Sequence, residues 1–172
     1  MSSASAIAGI CEQIFDYSAQ PQDLKTTCNL CDKPSCQSEA TTERYGYSIW
    51  KCTCSCGLVT INPRMTKEAY AKFYQGPYRA LVSAFHGREI NAQTIQPEQR
   101  EYAQSIGDFL KPYLDKFVAH NLLDIGGSTG VVAAALGSRF KMSGIVLDPC
   151  EEELKEASKA GLTTVLGTME DF

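Results

Sequence analysis

Nowhere in its 172 residues does the chain hold a run of about 18 apolar residues, the least a membrane-spanning helix needs. The N-terminus, Met-Ser-Ser-Ala-Ser-Ala-Ile-Ala-Gly-Ile-Cys, has no basic leading segment and too short an apolar stretch for a secretory signal. These two absences predict a soluble protein in the cytoplasm. Basic charge is also scarce: 16 Lys and Arg stand against 20 Asp and Glu, a formal net charge of −4, and there is no basic stripe. That argues against nucleic acid or another polyanion as partner. Two phosphate signatures are missing as well. There is no Gly-Lys-Ser/Thr of a P-loop, and the one glycine-rich turn puts Ser128 and Val131 in the second and third glycine places of G-x-G-x-x-G. A nicotinamide-dependent oxidoreductase therefore lacks its fingerprint.

What the chain has is cysteine. Six of its eight cysteines fall between Cys28 and Cys56, and in a reducing compartment such a cluster favours metal over disulfides. Cys28-Asn-Leu-Cys31 is a tight knuckle, and Cys52-Thr-Cys54-Ser-Cys56-Gly57 forms the second half after a hairpin-length segment. Two such groups predict a zinc ribbon. Cys28, Cys31 and Cys56 are the firm ligands, the last because Gly57 can take the left-handed conformation that ends a knuckle. Cys52, with three residues between it and Cys56, fits the usual range and is preferred as the fourth ligand. Cys54 has one intervening residue, which would strain a chelate on one metal. Cys36, in a Pro-Ser-Cys turn, is a bystander or a substitute ligand. Four thiolates on one Zn²⁺ would add about −2 to the charge.

Around the ribbon the spacing predicts helices. Ile7, Ile10, Cys11, Ile14 and Phe15 place one within residues 4–20, ended by Pro21. Its polar face has no Lys or Arg, so it docks on the protein rather than on a membrane. Leu58–Ile61 reads as a strand. Thr66 reads as the N-cap of a helix over 67–74 that Gly76-Pro77 stops. Residues 79–97 give no clear pattern. A helix over 98–118 follows, kinked or divided by Pro112. His86 and His120 have surface or capping positions and no assigned role.

The rest is organised around Asn121-Leu-Leu-Asp-Ile-Gly-Gly-Ser-Thr-Gly130, a strand entering a glycine turn that opens the helix Val131 to Leu136. A helix N-terminus behind such a turn suits a charged or polar ligand. A second strand, Ser143 to Leu147, ends at Asp148-Pro149; a helix over 150–160 and a third strand, Thr163 to Leu166, complete β-α-β-α-β and predict a parallel sheet. Asp148, 24 residues after Asp124, can accept both hydroxyls of a ribose. Capping the next helix explains its position nearly as well.

Strand-Asp-x-Gly-x-x-x-Gly, strand-Asp-Pro and strand-Gly-x-x-Glu-Asp resemble the class I S-adenosylmethionine-dependent methyltransferases. Upstream, Cys-x-x-Cys, Cys-Gly-Leu-Val, Asn-Pro-Arg and the Phe-Tyr helix are similar to the zinc-ribbon preface of one branch, which includes sugar C-methyltransferases. The resemblance covers roughly residues 28–172. It implies an α/β fold with a partial Rossmann-like sheet, S-adenosylmethionine as cofactor, structural Zn²⁺ and a small-molecule methyl acceptor. Asp124, Gly126, Gly127 and Gly130 would then line the methionine end of the cofactor, Asp148 would bind its ribose, and Thr168 and Met169 would lie beside adenine. Ser128 departs from the family's middle glycine, which is tolerable if its side chain points away, and Thr168 stands where an acid often reads the adenine amino group. No general base can be named.

The resulting domain expectation is an N-terminal helix over 1–24, the ribbon over 25–65, a helical region over 66–118 and the first part of a cofactor domain over 119–172. The family's sheet has seven strands and the sequence runs through three. The expectation is therefore that this is the N-terminal part of a longer enzyme, or that the unpaired edge of the first strand joins another chain. The rival is a non-catalytic zinc-ribbon module that uses that edge for assembly.

Overall fold

The computed structural model describes residues 3–34, 37–116 and 120–169. It divides into two compact units, Met1–Glu89 and Ile90–Phe172. Cys36, the expected helix end at Val118, and Glu170 and Asp171 of the last motif lie outside the described residues.

The first unit begins with α1 (Ser3–Ile14), shorter than its periodic pattern. Asp16 ends it by forming a local turn: its carboxylate accepts the Ser18 hydroxyl at 2.6 Å and the Ala19 N–H at 3.1 Å, bonds that compete with a further helical turn. β1 (Gln22–Asp23) pairs antiparallel with β5 (Arg64–Met65). β2 (Gln37–Thr42), β3 (Ser48–Thr53) and β4 (Val59–Ile61) form an antiparallel sheet in that order. Asn62 is buried, and it explains the Asn-Pro-Arg motif. Its side chain accepts the Lys25 N–H at 2.9 Å and donates to the Lys25 carbonyl at 2.7 Å, doing the work of a strand partner.

Thr66 caps α2 (Lys67–Gln75) as expected, its side chain accepting the Ala69 N–H at 3.2 Å. The unassigned stretch holds α3 (Tyr78–His86), which starts after Pro77, buries Leu81 and Val82, and stops at Gly87 with φ +64°. The core gathers Phe15, Met65 and Ala69 with Tyr47 and Phe73 packed against them. The Tyr47 hydroxyl lies 3.0 and 2.7 Å from the Cys11 and Phe15 carbonyls and shares its one proton between them at the end of α1, where the Cys11 carbonyl also accepts the Phe15 N–H.

The second unit opens with α4 (Gln96–Leu114), one helix that contains Pro112 and is not divided by it. The expected helical region is thus shared, with α2 and α3 in the first unit and α4 in the second. Then come β6 (Asn121–Ile125), α5 (Val131–Phe140), β7 (Ser143–Asp148), α6 (Glu151–Lys159) and β8 (Thr163–Leu166). The strands form a parallel sheet in the order β6-β7-β8. Val146, Ala133, Leu154 and Ala157 make its core, joined by Leu122 and Leu162, so α5 and α6 cover the face on which the even-numbered residues of β6 and β7 lie. On the other face Leu123 and Ile125 are exposed. Among the described residues β6 pairs only with β7.

Candidate functional site

The cysteine group is built by two turns of the same design. In the first, the Cys28 N–H bonds the Lys33 carbonyl at 2.8 Å and the Asp32 N–H returns to the Cys28 carbonyl at 2.9 Å. In the second, the Cys54 N–H bonds the Leu58 carbonyl and the Gly57 N–H bonds the Cys54 carbonyl, both at 2.9 Å, with Gly57 at φ +91°. The sulfurs of Cys28, Cys31, Cys54 and Cys56 all lie within 4.8 Å of one another. Cys28 and Cys56 are 3.7 Å apart and Cys31 and Cys54 3.6 Å apart. Four sulfurs at about 2.3 Å from one ion sit about 3.8 Å apart on a tetrahedron. The group can hold a metal such as zinc.

Cys54, not the expected Cys52, is the fourth member. Cys52 is buried inside β3, opposite Ser38 and Thr60, and two residues of extended chain, about 6.8 Å, separate it from Cys54. The strain expected of Cys54-Ser-Cys56 applies to extended backbone, but β3 ends at Thr53 and the pair lies in a turn that brings both sulfurs together. The Cys56 N–H and the neighbouring thiols bond the Cys54 sulfur and outweigh its burial, lowering this thiol to about 6.

In the second unit the glycine turn stands at the carboxyl end of the parallel strands. The Gly126 N–H bonds the Leu147 carbonyl at 2.7 Å, extending the sheet by one bond, and the Gly130 N–H closes on the Gly127 carbonyl at 2.9 Å. Gly126 and Gly130 have φ +72° and +73°. A Cβ on Gly130 would meet Leu162 at 2.6 Å and Ala157 at 2.8 Å, whereas one on Gly126 would meet nothing within 4 Å. Gly130 thus serves helix packing, and Gly126 faces open space.

Asp124 and Asp148 come together on the same face. The Asp124 carboxyl is pushed above its ordinary range by burial and then by the charge on Asp148, against an opposing bond from the Ala133 N–H in the first turn of α5. Its Oδ2 is buried and has no hydrogen-bond partner. Asp148 is the last residue of β7 and is itself buried; its Oδ2 accepts the Ser128 N–H at 2.9 Å and its Oδ1 the Cys150 N–H at 2.8 Å. Gly127 packs against Asp124, where a Cβ would lie 2.7 Å from Cγ. Thr168 and exposed Met169 follow β8, tied to the site by the Gly167 N–H on the Asp148 carbonyl at 3.1 Å. The expected residues are thus brought to one end of the sheet, with Met169 at its margin.

Two participants were not foreseen. Gln99 of α4 and Glu153 of α6 both reach the turn: Thr129 donates to Gln99 Oε1 at 2.5 Å, and the Ser128 hydroxyl donates to Glu153. The Ser128 side chain turns toward α4 and α6. Ser128 sits at φ +53°, and no sequence signal points to the partners that hold it there. No protein-family model matches the chain, and comparison with curated proteins finds no match.

Proposed function

We propose that the second unit binds S-adenosylmethionine on the glycine turn and serves methyl transfer to a small-molecule acceptor, with sugars the first class to try. The observation that carries the reading is the buried, unpartnered Oδ2 of Asp124 near the end of β6, just ahead of the turn that holds Gly126, which faces open space. An orphaned buried carboxylate oxygen is costly unless a donor meets it, and the amino group of the cofactor is such a donor. In this reading the sheet is the first part of a Rossmann-like fold. Gly126 lets the ligand approach the backbone, and Gly127 and Gly130 hold the turn and the start of α5. Asp148, at the carboxyl end of β7, accepts from the ribose hydroxyls. Thr168 and Met169 flank the adenine. The cofactor supplies a methyl group activated on a sulfonium sulfur, and the protein's share is to hold acceptor and sulfur in line. Four cysteines leave no open position on a tetrahedral ion, so zinc in the first unit is structural.

Isothermal titration of the metal-replete protein with S-adenosylmethionine and S-adenosylhomocysteine tests this. Micromolar binding supports it, and absence of binding to both removes it. A second reading, a non-catalytic assembly module, is favoured by the exposure of Leu123 and Ile125 on β6. In a parallel sheet alternate residues bond to the same neighbour. The even positions of β6 bond to β7, so Asn121, Leu123 and Ile125 direct their backbone groups outward. That reading predicts a stable complex with a protein partner through this edge and no methyl transfer with cofactor bound.

A further inference from the structure

Ser128 is an L-residue in the left-handed region, at φ +53°, where a side chain is disfavoured. Three elements hold it there. The end of β7 takes its N–H on Asp148 Oδ2 at 2.9 Å, α6 takes its hydroxyl proton on Glu153, and Gln99 of α4 donates from Nε2 to its hydroxyl oxygen at 3.4 Å. Gln99 also accepts the Thr129 hydroxyl at 2.5 Å on Oε1. Thr129, Asp148 and Glu153 are all more than nine-tenths buried, so these bonds are shielded from water and their geometry is enforced.

The proton directions are fixed as well. The Ser128 proton goes to Glu153, so the serine oxygen must accept from its other neighbour, and the Thr129 proton requires an acceptor. Only a side chain that donates at one end and accepts at the other meets both demands, and an amide is such a group. We infer that Gln99 is a positioning residue for the ligand-binding turn, locking Ser128 and Thr129 in the conformation that presents Gly126 and Asp124. This rests on the cofactor reading for its functional consequence, but not for the clamp itself.

The test uses Gln99→Glu, which keeps size and loses the donor, and Gln99→Ala, each alone and on top of Ser128→Gly, a change that removes both the left-handed penalty and the hydroxyl. Two readouts are taken on the intact chain. Hydrogen exchange at the Ser128 and Gly130 amides is expected to quicken about tenfold in Gln99→Glu, the effect of losing one buried hydrogen bond, with amides of β6 and β7 unchanged. Affinity for S-adenosylmethionine is expected to fall about tenfold in both single variants, because the competent turn is populated less, and less than about twofold on top of Ser128→Gly. Exchange that stays slow at the turn, or that rises equally across the sheet, overturns the clamp. A loss of affinity that persists undiminished on Ser128→Gly overturns its dependence on the serine. If the unmodified protein binds no S-adenosylmethionine, the cofactor reading fails while exchange still decides the clamp.

Discussion

The two units reach a defined site by opposite routes. In the first, two short turns bring four sulfurs within 4.8 Å, and these turns have few side chains of their own to bury. A metal held by the four sulfurs would stabilise these turns. In the second, the site is a by-product of packing. The glycine turn is placed by a sheet bond from Gly126, by Gly130 against Ala157, and by Asp148, Glu153 and Gln99 around Ser128. One site should therefore fail when a ligand atom is removed, and the other when shape is altered. The lone Trp50 lies in β3 of the first unit, so its fluorescence follows that unit, while exchange at β6–β8 amides follows the other.

The largest effect is expected at Cys54. Structural zinc contributes on the order of 10 kcal/mol to the folding of a small domain, so, if the four cysteines hold zinc, Cys54→Ser should abolish tight metal binding and loosen the β2–β4 sheet, read as loss of bound zinc and a red shift of Trp50. Cys52→Ser should keep the metal and cost about 1–2 kcal/mol, the penalty for a poorly paired hydroxyl in a buried strand. Zinc retained by Cys54→Ser and lost by Cys52→Ser would reverse the ligand assignment. Chelation of the wild-type protein should reproduce the Cys54→Ser spectrum and leave exchange at β6–β8 unchanged.

Next comes Gly130→Ala, the equivalent injury to the other unit. The new Cβ would sit 2.8 Å from the Ala157 Cβ and 3.2 Å from its Cα, at a φ of +73°. Left-handed strain and overpacking together should cost about 2–4 kcal/mol. Amides of β6 and β7 should exchange correspondingly faster with Trp50 emission and zinc content unchanged. Gly126→Ala has only the backbone penalty, since its Cβ meets nothing within 4 Å. A Gly126→Ala effect as large as that of Gly130→Ala would show that the open space is in fact filled.

The same contrast explains what could be read from the sequence. The β-α-β-α-β order, the strand Thr163–Leu166, the Thr66 cap and the place of Asp148 at the end of β7 were legible, because each rests on local pattern: apolar runs, a capping residue, an acid at a strand end. Cys52 was preferred to Cys54 on the number of intervening residues, whereas the sulfurs that come together include Cys54; spacing alone cannot tell where β3 gives way to a turn. Helix α3 carried signals that were there to use, Pro77 ahead of it, Gly87 behind it and Leu81, Val82 and Phe85 on one side. Gln99 and Glu153 were not legible. They lie 29 residues before and 25 residues after Ser128, and only the packing of α4 and α6 in three dimensions brings them to it.

The smallest effect separates packing from function within the second unit. The Asp124 carboxyl is held above its ordinary range by burial and by Asp148, so the folded protein binds that proton more tightly than the unfolded chain does. From the unfolded value of about 3.9 up to the folded one, the unfolded state holds fewer protons, and stability falls as pH rises. Above that window the penalty is fully present. Asp124→Asn removes it while keeping an oxygen that can accept the Ala133 N–H. The variant should therefore be more stable than the parent at pH 7, by a few degrees or less in the unfolding of the sheet, and its advantage should vanish on acidification through the window. If Asp124 exists to meet a ligand, the same substitution should weaken S-adenosylmethionine binding at pH 7 even as the protein becomes more stable. A variant both less stable and unchanged in binding would make Asp124 a cap for α5 and nothing more.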